Sequence, residues 1–376
     1  MSIIGKPIEE IPTPALLLDL EKFQLNVDKM FKFAREAKVN VRPHAKTFKI
    51  AAICNKLIEA GACGVMTQKL SEAEVLLSSG ILYGDKNILI SQEIADPQKL
   101  ERVVGMTVAM GEGKVLTSLD NLQEAEMISR IAERWGVKQD VIIEVTHGRC
   151  GVNPGEDAVK MAMRIVKLNG LNFRGIYGYE NPVPRGKALE RDKQTVDTAN
   201  AIRAAGIEVE IVSAGSTATY QVTGTYPGIT EIEPGSFVFG AGKDGSGYGW
   251  QTINDVYFKS SLTVLTQVIS ENFDNRVVTD AGAKVMSGGH AGVDPVVLVQ
   301  ADGGYLEFER VGLSEEHGTI FFKEGDTNRR KLRWGQKIEF TPNHCCTAVN
   351  QHDEIVVVKN GVVCAVWPIT ARGRYQ

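Results

Sequence analysis

The feature that most constrains this chain is a repeated alternation of two patterns. Short apolar runs lie at 39–42, 63–67, 87–91, 114–117, 141–145, 173–177, 208–213 and 229–233. Helical patterns separate most of these eight runs. A strand–helix unit repeated over this length favours a parallel barrel, so the expected class is α/β and the architecture a (β/α)8 TIM barrel. An open doubly wound sheet is the runner-up, weakened because no G-x-G-x-x-G follows an early strand. The reading also expects a short strand around Val108 and a helix over 121–135 capped by Asp120.

After about residue 255 the texture changes to strands, at 261–269, 276–280, 296–299, 337–340, 354–359 and 362–367. Asn360-Gly361 between the last two is a hairpin turn signal. Residues 12–20 read as a further buried strand. The expected division is a barrel domain over 18–252 and a mainly β domain made of 1–17 and 253–376. A net charge of −4 leaves no basic footprint for nucleic acid. No apolar run is long enough to span a bilayer, so neither nucleic acid nor membrane is an expected partner. The start of the chain has neither a secretory apolar region nor an Arg-rich amphipathic pattern. Six cysteines in 376 residues do not read as a disulfide framework, so a cytoplasmic location is expected.

Five constellations could carry chemistry. Lys46, in Val41-Arg42-Pro43-His44-Ala45-Lys46-Thr47, follows the first barrel strand, which Pro43 should end. A lysine there either faces the barrel mouth or is simply solvated. Ser213-Ala214-Gly215-Ser216-Thr217 and Pro234-Gly235-Ser236 follow the seventh and eighth strands, where barrels often bind phosphate; otherwise they are two polar turns. Arg149, in Gly148-Arg149-Cys150-Gly151-Val152, is a fixed cation at the mouth or a surface arginine. Tyr179, two residues past Tyr177, stacks on a planar ligand or lines the rim. In the β domain, His344 and Cys346 would face one side of a strand and could bind zinc with open positions, or be a buried thiol beside a histidine. His317 and His352 could lie nearby. A lysine combined with phosphate loops suits pyridoxal 5′-phosphate (PLP), with Lys46 as the Schiff-base lysine.

With these motifs in view, the chain resembles the fold-type III PLP enzymes that include D-threonine aldolase, 3-hydroxy-D-aspartate aldolase and D-serine dehydratase, built on an alanine racemase-like barrel. The resemblance runs from Thr13-Pro14-Ala15-Leu16 through Arg42–Thr47, Gln68–Glu74, Gly148–Val152 and Asp280-Ala281-Gly282 to Val366–Arg374. It implies that Lys46, Arg149 and Tyr179 are catalytic, and that His44, Gln68, Gly215, Ser216, Thr217, Gly235 and Ser236 join them in binding PLP. It implies a divalent metal, zinc or manganese, on His344 and Cys346, a D-amino acid substrate and a homodimer. The related aldolases resemble His-x-Asp at the metal and carry a histidine after the tyrosine. This chain has His-x-Cys, as the dehydratases do, and no histidine in Glu180–Arg185. The expected reaction is retro-aldol cleavage of a D-β-hydroxy amino acid to glycine and an aldehyde. The alternative is dehydration to a 2-oxo acid and ammonia. Racemisation, and a PLP carrier without activity, are further alternatives.

Overall fold

The computed structural model describes residues 2–82, 84–146, 148–179, 184–240, 258–288 and 294–376. Contacts divide the chain into two compact units. One comprises Met30–Lys46, Ala51–Gly235 and Arg374–Gln376; the other Met1–Lys29, Thr47–Ile50 and Ser236–Gly373. The expected boundary between 252 and 253 lies outside the described residues.

The first unit holds eight parallel strands: Asn40–Val41, Gly64–Thr67, Asn87–Ile90, Val115–Leu119, Gln139–Glu144, Leu171–Gly178, Ile211–Ala214 and Glu231–Ile232. From the second onward each pairs with the next, and the eighth pairs with the first, Val41 opposite Ile232. The ring closes between first and second strands: Met66 N donates to Pro43 O at 2.9 Å and Ala45 N to Met66 O at 2.7 Å. The strands Val115–Leu119 and Gln139–Glu144 are buried along their whole length, as strands with side chains on one face and helices on the other must be. Met66, Leu89, Leu116, Ile142, Tyr177 and Ile211 pack together as one cluster.

The barrel also encloses charge. Arg42, 2% exposed, donates to both Glu231 carboxylate oxygens at 2.7 and 3.0 Å and to Asn87 Oδ1 at 2.6 Å. Gly64 makes room for it: a Cβ there would stand 2.1 Å from Asn87 O and 2.8 Å from Arg42 Nη1. Two local expectations are corrected. The helix Pro97–Met110 runs straight through Val108, where a strand was expected; its buried Leu100, Val103, Val104 and Thr107 keep helical spacing and leave Val108 outside. The helix Leu122–Trp135 is capped by Asn121, whose side chain accepts from Gln123 N, and not by Asp120.

The second unit is mainly β. Its ten-stranded sheet runs Gly304–Leu306, Val296–Ala301, Lys337–Pro342, Leu262–Phe273, Ala15–Asp19, Glu354–Lys359, Val362–Pro368, with three further strands, Arg276–Thr279, Arg310–Leu313 and Gly318–Phe321, paired off this path. The N-terminal strand is antiparallel to Leu262–Phe273 and parallel to Glu354–Lys359, so the chain's two ends share a sheet. Ile11, Leu17, Leu265, Val356, Val358 and Val363 form its core. At the expected hairpin, Asn360 and Gly361 have φ of 52° and 74°, the left-handed pair a tight primed turn requires. The strands Gly304–Leu306, Arg310–Leu313 and Gly318–Phe321 were not anticipated from sequence.

Candidate active site

The barrel unit brings together residues far apart in sequence. Pro43 has no N–H to extend the first strand, which ends at Val41. His44, 5% exposed, donates its backbone N–H to Pro234 O at 3.1 Å, tying the start of the lysine segment to the loop that contains Gly235. The Lys46 amine then stands 5.1 Å from the centroid of the Tyr179 ring. Arg149, reached through the loop after the fifth strand, places its guanidinium 4.9 Å from the same ring. The electron-rich ring thus draws two cations together, and the pair concentrates positive charge at this point. Tyr179 is half-buried just past the sixth strand, whereas Tyr177 lies inside the barrel at 1% exposure.

The remaining expected residues take up distinct posts. Gln68 spans two strand ends, its Nε2 donating to Ser91 O at 2.6 Å and its N–H bonded to Glu72 Oε2 at 3.0 Å. Gly215 has φ +85°, and a Cβ there would meet three atoms of Thr223 at 3.0 to 3.1 Å. Ser216 N donates to Thr219 Oγ1 at 3.0 Å, which holds the turn in shape. Thr217 is half-buried beside it, and Gly235 is buried after the eighth strand. Ser236 falls in the β-rich unit, where it opens a 3-10 turn and its carbonyl accepts from Phe239 N and Gly240 N. A phosphate-bearing group fits the turn 215–217: Gly215 leaves the backbone open, and the Ser216 and Thr219 hydroxyls flank it.

The His344 and Cys346 pair is corrected in its geometry. The strand Lys337–Pro342 ends before it, and His344 caps the short helix Cys345–Val349. The two side chains are brought together by a helix start instead of by strand alternation. The Cys346 thiol is held well below the usual range by its bond to the Cys345 side chain, with His344 and Thr47 adding to this against burial. Cys346 Sγ lies 3.5 Å from Thr47 Oγ1, and Thr47 directly follows Lys46 in the chain. The segment 47–50 is clamped from the other side, Ala371 N donating to Lys49 O at 3.0 Å. An imidazole beside a thiolate-forming sulfur is a donor pair suited to a soft divalent metal. His352 is turned to Val285 O at 2.9 Å. Residues 180–183, most of the stretch in which the related aldolases carry a histidine, lie outside the described residues.

Sequence reasoning missed a second set of groups. Among the described residues, Glu93, Glu144 and Cys150 form the single cluster of three possible ligands, with donor atoms within 4.8 Å of one another. Glu144 is 2% exposed and accepts from the Tyr177 hydroxyl. Burial, then its bond to Glu144, pushes the Glu93 carboxyl up to about 7. Burial likewise lifts Glu233, which accepts from Ser213 Oγ at 2.6 Å, to about 8. The one available signal was Glu144 ending the apolar run Val141–Ile143, since a carboxylate there must point into the barrel or its mouth.

Comparison with known proteins matches residues 18–243 to the family described as alanine racemase, N-terminal domain, and residues 261–358 to a serine dehydratase domain. A 3-hydroxy-D-aspartate aldolase from Paracoccus denitrificans (strain Pd 1222) is 31% identical over 98% of this chain and 94% of its own. A D-threo-3-hydroxyaspartate dehydratase from Delftia sp. (strain HT23) is 27% identical, covering 89% and 91%. The crystal structure of D-threonine aldolase from Filomicrobium marinum superposes with a TM-score of 0.88 at 30% identity, covering all of both chains.

Proposed function

Because the chain belongs to the family with an alanine racemase-type N-terminal domain that includes the 3-hydroxy-D-aspartate and D-threonine aldolases, we propose that it is a PLP- and divalent-metal-dependent lyase. It cleaves a D-β-hydroxy amino acid to glycine and an aldehyde. The observation that carries the reading is the convergence of the Lys46 amine and the Arg149 guanidinium on the Tyr179 ring. Residues 18–252 are the cofactor domain, and 1–17 with 253–376 carry the metal.

Lys46 would hold PLP at its carbonyl carbon, Arg149 its phenolic oxygen and Tyr179 one face of its ring. His44 and Gln68 would shape the rim, and Gly215, Ser216, Thr217, Gly235 and Ser236 would take its phosphate. When bound, PLP supplies an electron sink for the charge left at Cα as a substrate bond breaks. His344 and Cys346 would hold a zinc or manganese ion, a Lewis acid that lowers the pKa of the substrate's β-hydroxyl. The chain's own work is to orient. Arg149 stays charged because the Cys150 side chain, Glu144 and Tyr179 outweigh the cost of burial. The Lys46 amine, beside the Tyr179 ring, would also be the group to carry a proton to or from Cα.

A second reading, dehydration to a 2-oxo acid and ammonia, is favoured by the thiol in the candidate metal pair, since a thiolate ligand would suit a softer metal that supplies Lewis acidity for a leaving hydroxide. We place the enzyme in the cytoplasm as a homodimer. None of its six cysteines is in a disulfide, and no described helix is long and apolar enough to cross a membrane. The test is a product assay with D-threonine, D-3-hydroxyaspartate and D-serine, with PLP and with zinc, manganese or chelator. Glycine and aldehyde support the first reading, ammonia the second. Neither product from any of them refutes both, and full activity under chelation refutes the metal.

A further inference from the structure

The loop that carries Arg149 is fastened by groups that the proposed chemistry leaves unused. Thr146 N donates to Val152 O at 2.8 Å and Val152 N to Glu144 O at 2.9 Å, which closes the loop's neck. Gly151 N donates to Asp120 Oδ2 at 2.9 Å, the task that takes Asp120 away from capping the next helix. Gly151 has φ +100°, and a Cβ there would stand 2.8 Å from Thr146 N and 2.9 Å from Glu144 O. The neck therefore admits only glycine. Above it, Cys150 Sγ donates to Glu144 Oε1 at 3.2 Å, while Glu144 Oε2 accepts from the buried Tyr177 hydroxyl. Glu93 completes the group within 4.8 Å. On the outer side, the Arg149 guanidinium bonds to the Cys150 sulfur and faces Tyr179. One chain of contacts thus runs from Tyr177 through Glu144 and Cys150 to Arg149.

We propose that Cys150, held by Glu144 and Glu93, is a latch that positions Arg149 over Tyr179 for its contact with the bound cofactor. This rests on the function proposed above. Burial pushes the Cys150 thiol up to about 12, so it keeps the proton that it donates to Glu144. Glu93 is bonded to the Glu144 side chain, which helps to hold that carboxylate where Cys150 reaches it. The charged and titratable groups around the pair are Asp120 and Glu124 at the helix Leu122–Trp135, Tyr177 on the sixth strand, Glu233 after the eighth, and Cys150 and Arg149 on the loop. All but Arg149 are neutral or acidic. Arg149 is the one cation among these groups, and its bond to the Cys150 sulfur holds it beside the Tyr179 ring.

The test is PLP affinity of the cofactor-free protein, by fluorescence titration and by the pH dependence of the bound cofactor's absorption, with melting temperature as a fold control. Cys150→Ala and Glu144→Gln are expected to bind PLP roughly tenfold more weakly, the ratio that one bond to a charged group carries. Cys150→Ser, which keeps a donor, restores most of the affinity. The latch is refuted if Cys150→Ala binds PLP as the wild type does, or if Ala and Ser at 150 weaken it equally. Should Glu144→Gln not fold, the two variants at Cys150 decide alone. A wild-type protein that takes up no PLP overturns both this inference and the function. One that binds PLP but forms neither glycine nor ammonia overturns only the function.

Discussion

Arg42 sits in the same motif as the candidate lysine, yet its side chain is spent inside the barrel, and this makes a sharp prediction. Arg42→Met removes a guanidinium that donates twice to Glu231 and once to Asn87, at 2.6 to 3.0 Å, with Arg42 and Glu231 2% and 3% exposed. Breaking one side of such a buried pair costs about 3–5 kcal/mol, because the remaining carboxylate is left desolvated, and Asn87 loses roughly 1 kcal/mol more. Against a total stability of about 5–15 kcal/mol, that is a large fraction. Burial pushes Glu231 up, but Arg42 outweighs it and holds the carboxyl below its ordinary value. A carboxyl with a depressed folded pKa stabilises above its unfolded value and loses that contribution as pH falls through the folded one. In Arg42→Met burial acts alone and Glu231 takes up a proton. The deficit is therefore largest at neutral pH and shrinks on acidification. Urea unfolding of the metal- and cofactor-free protein, followed by circular dichroism at several pH values, measures it. Arg42→Met with Glu231→Leu should recover most of the loss, since no charge is then stranded. A single-variant deficit under about 1 kcal/mol at neutral pH, or one that grows on acidification, would refute the reasoning.

Four further outcomes are expected. Lys46→Ala should lower product formation by at least about a thousandfold, measured by single-turnover assay with PLP added in excess. Cys346→Ala should lose bound metal by mass spectrometry and lose metal stimulation, while circular dichroism stays native; retained stoichiometric metal would remove Cys346 from the site. Gly215→Ala should weaken PLP binding about tenfold, since a side chain at left-handed φ costs roughly 1–2 kcal/mol and its Cβ crowds Thr223. Glu93 has a folded pKa raised to about 7, so its contribution is full below the unfolded carboxyl value and is lost as pH rises through about 7. Glu93→Gln should flatten the stability curve across that window in thermal melts.

Much of the barrel was legible because its strands announce themselves locally. Val141–Ile143 is apolar without interruption, and such a run between two helical patterns has few other fates. In the β-rich unit the strands Gly304–Leu306, Arg310–Leu313 and Gly318–Phe321 escaped notice. They are three or four residues long and broken by glycine, and they exist because partners such as Arg276–Thr279 lie far away in sequence. Val108 misled for a related reason: one branched residue suggests a strand, but the buried stripe of Leu100, Val103, Val104 and Thr107 decides for helix.

The sequence by itself determined the class, the two-part texture, and the lysine, arginine, tyrosine and His-x-Cys residues from which chemistry could be built. These are properties of periodicity, turn residues and residue type, all of which act over a few positions. Tertiary structure decided which of them meet. Closure of the ring carries residues 46 and 149 to the ring of Tyr179. A helix start, not a strand, turns Cys346 toward His344. The fold places Glu93 and Glu144 against Cys150, and burial lets Glu93 keep a proton that a free carboxylate would give up. Desolvation and charge proximity depend on what surrounds a group in three dimensions, and residues 93, 144 and 150 become neighbours only when the barrel forms.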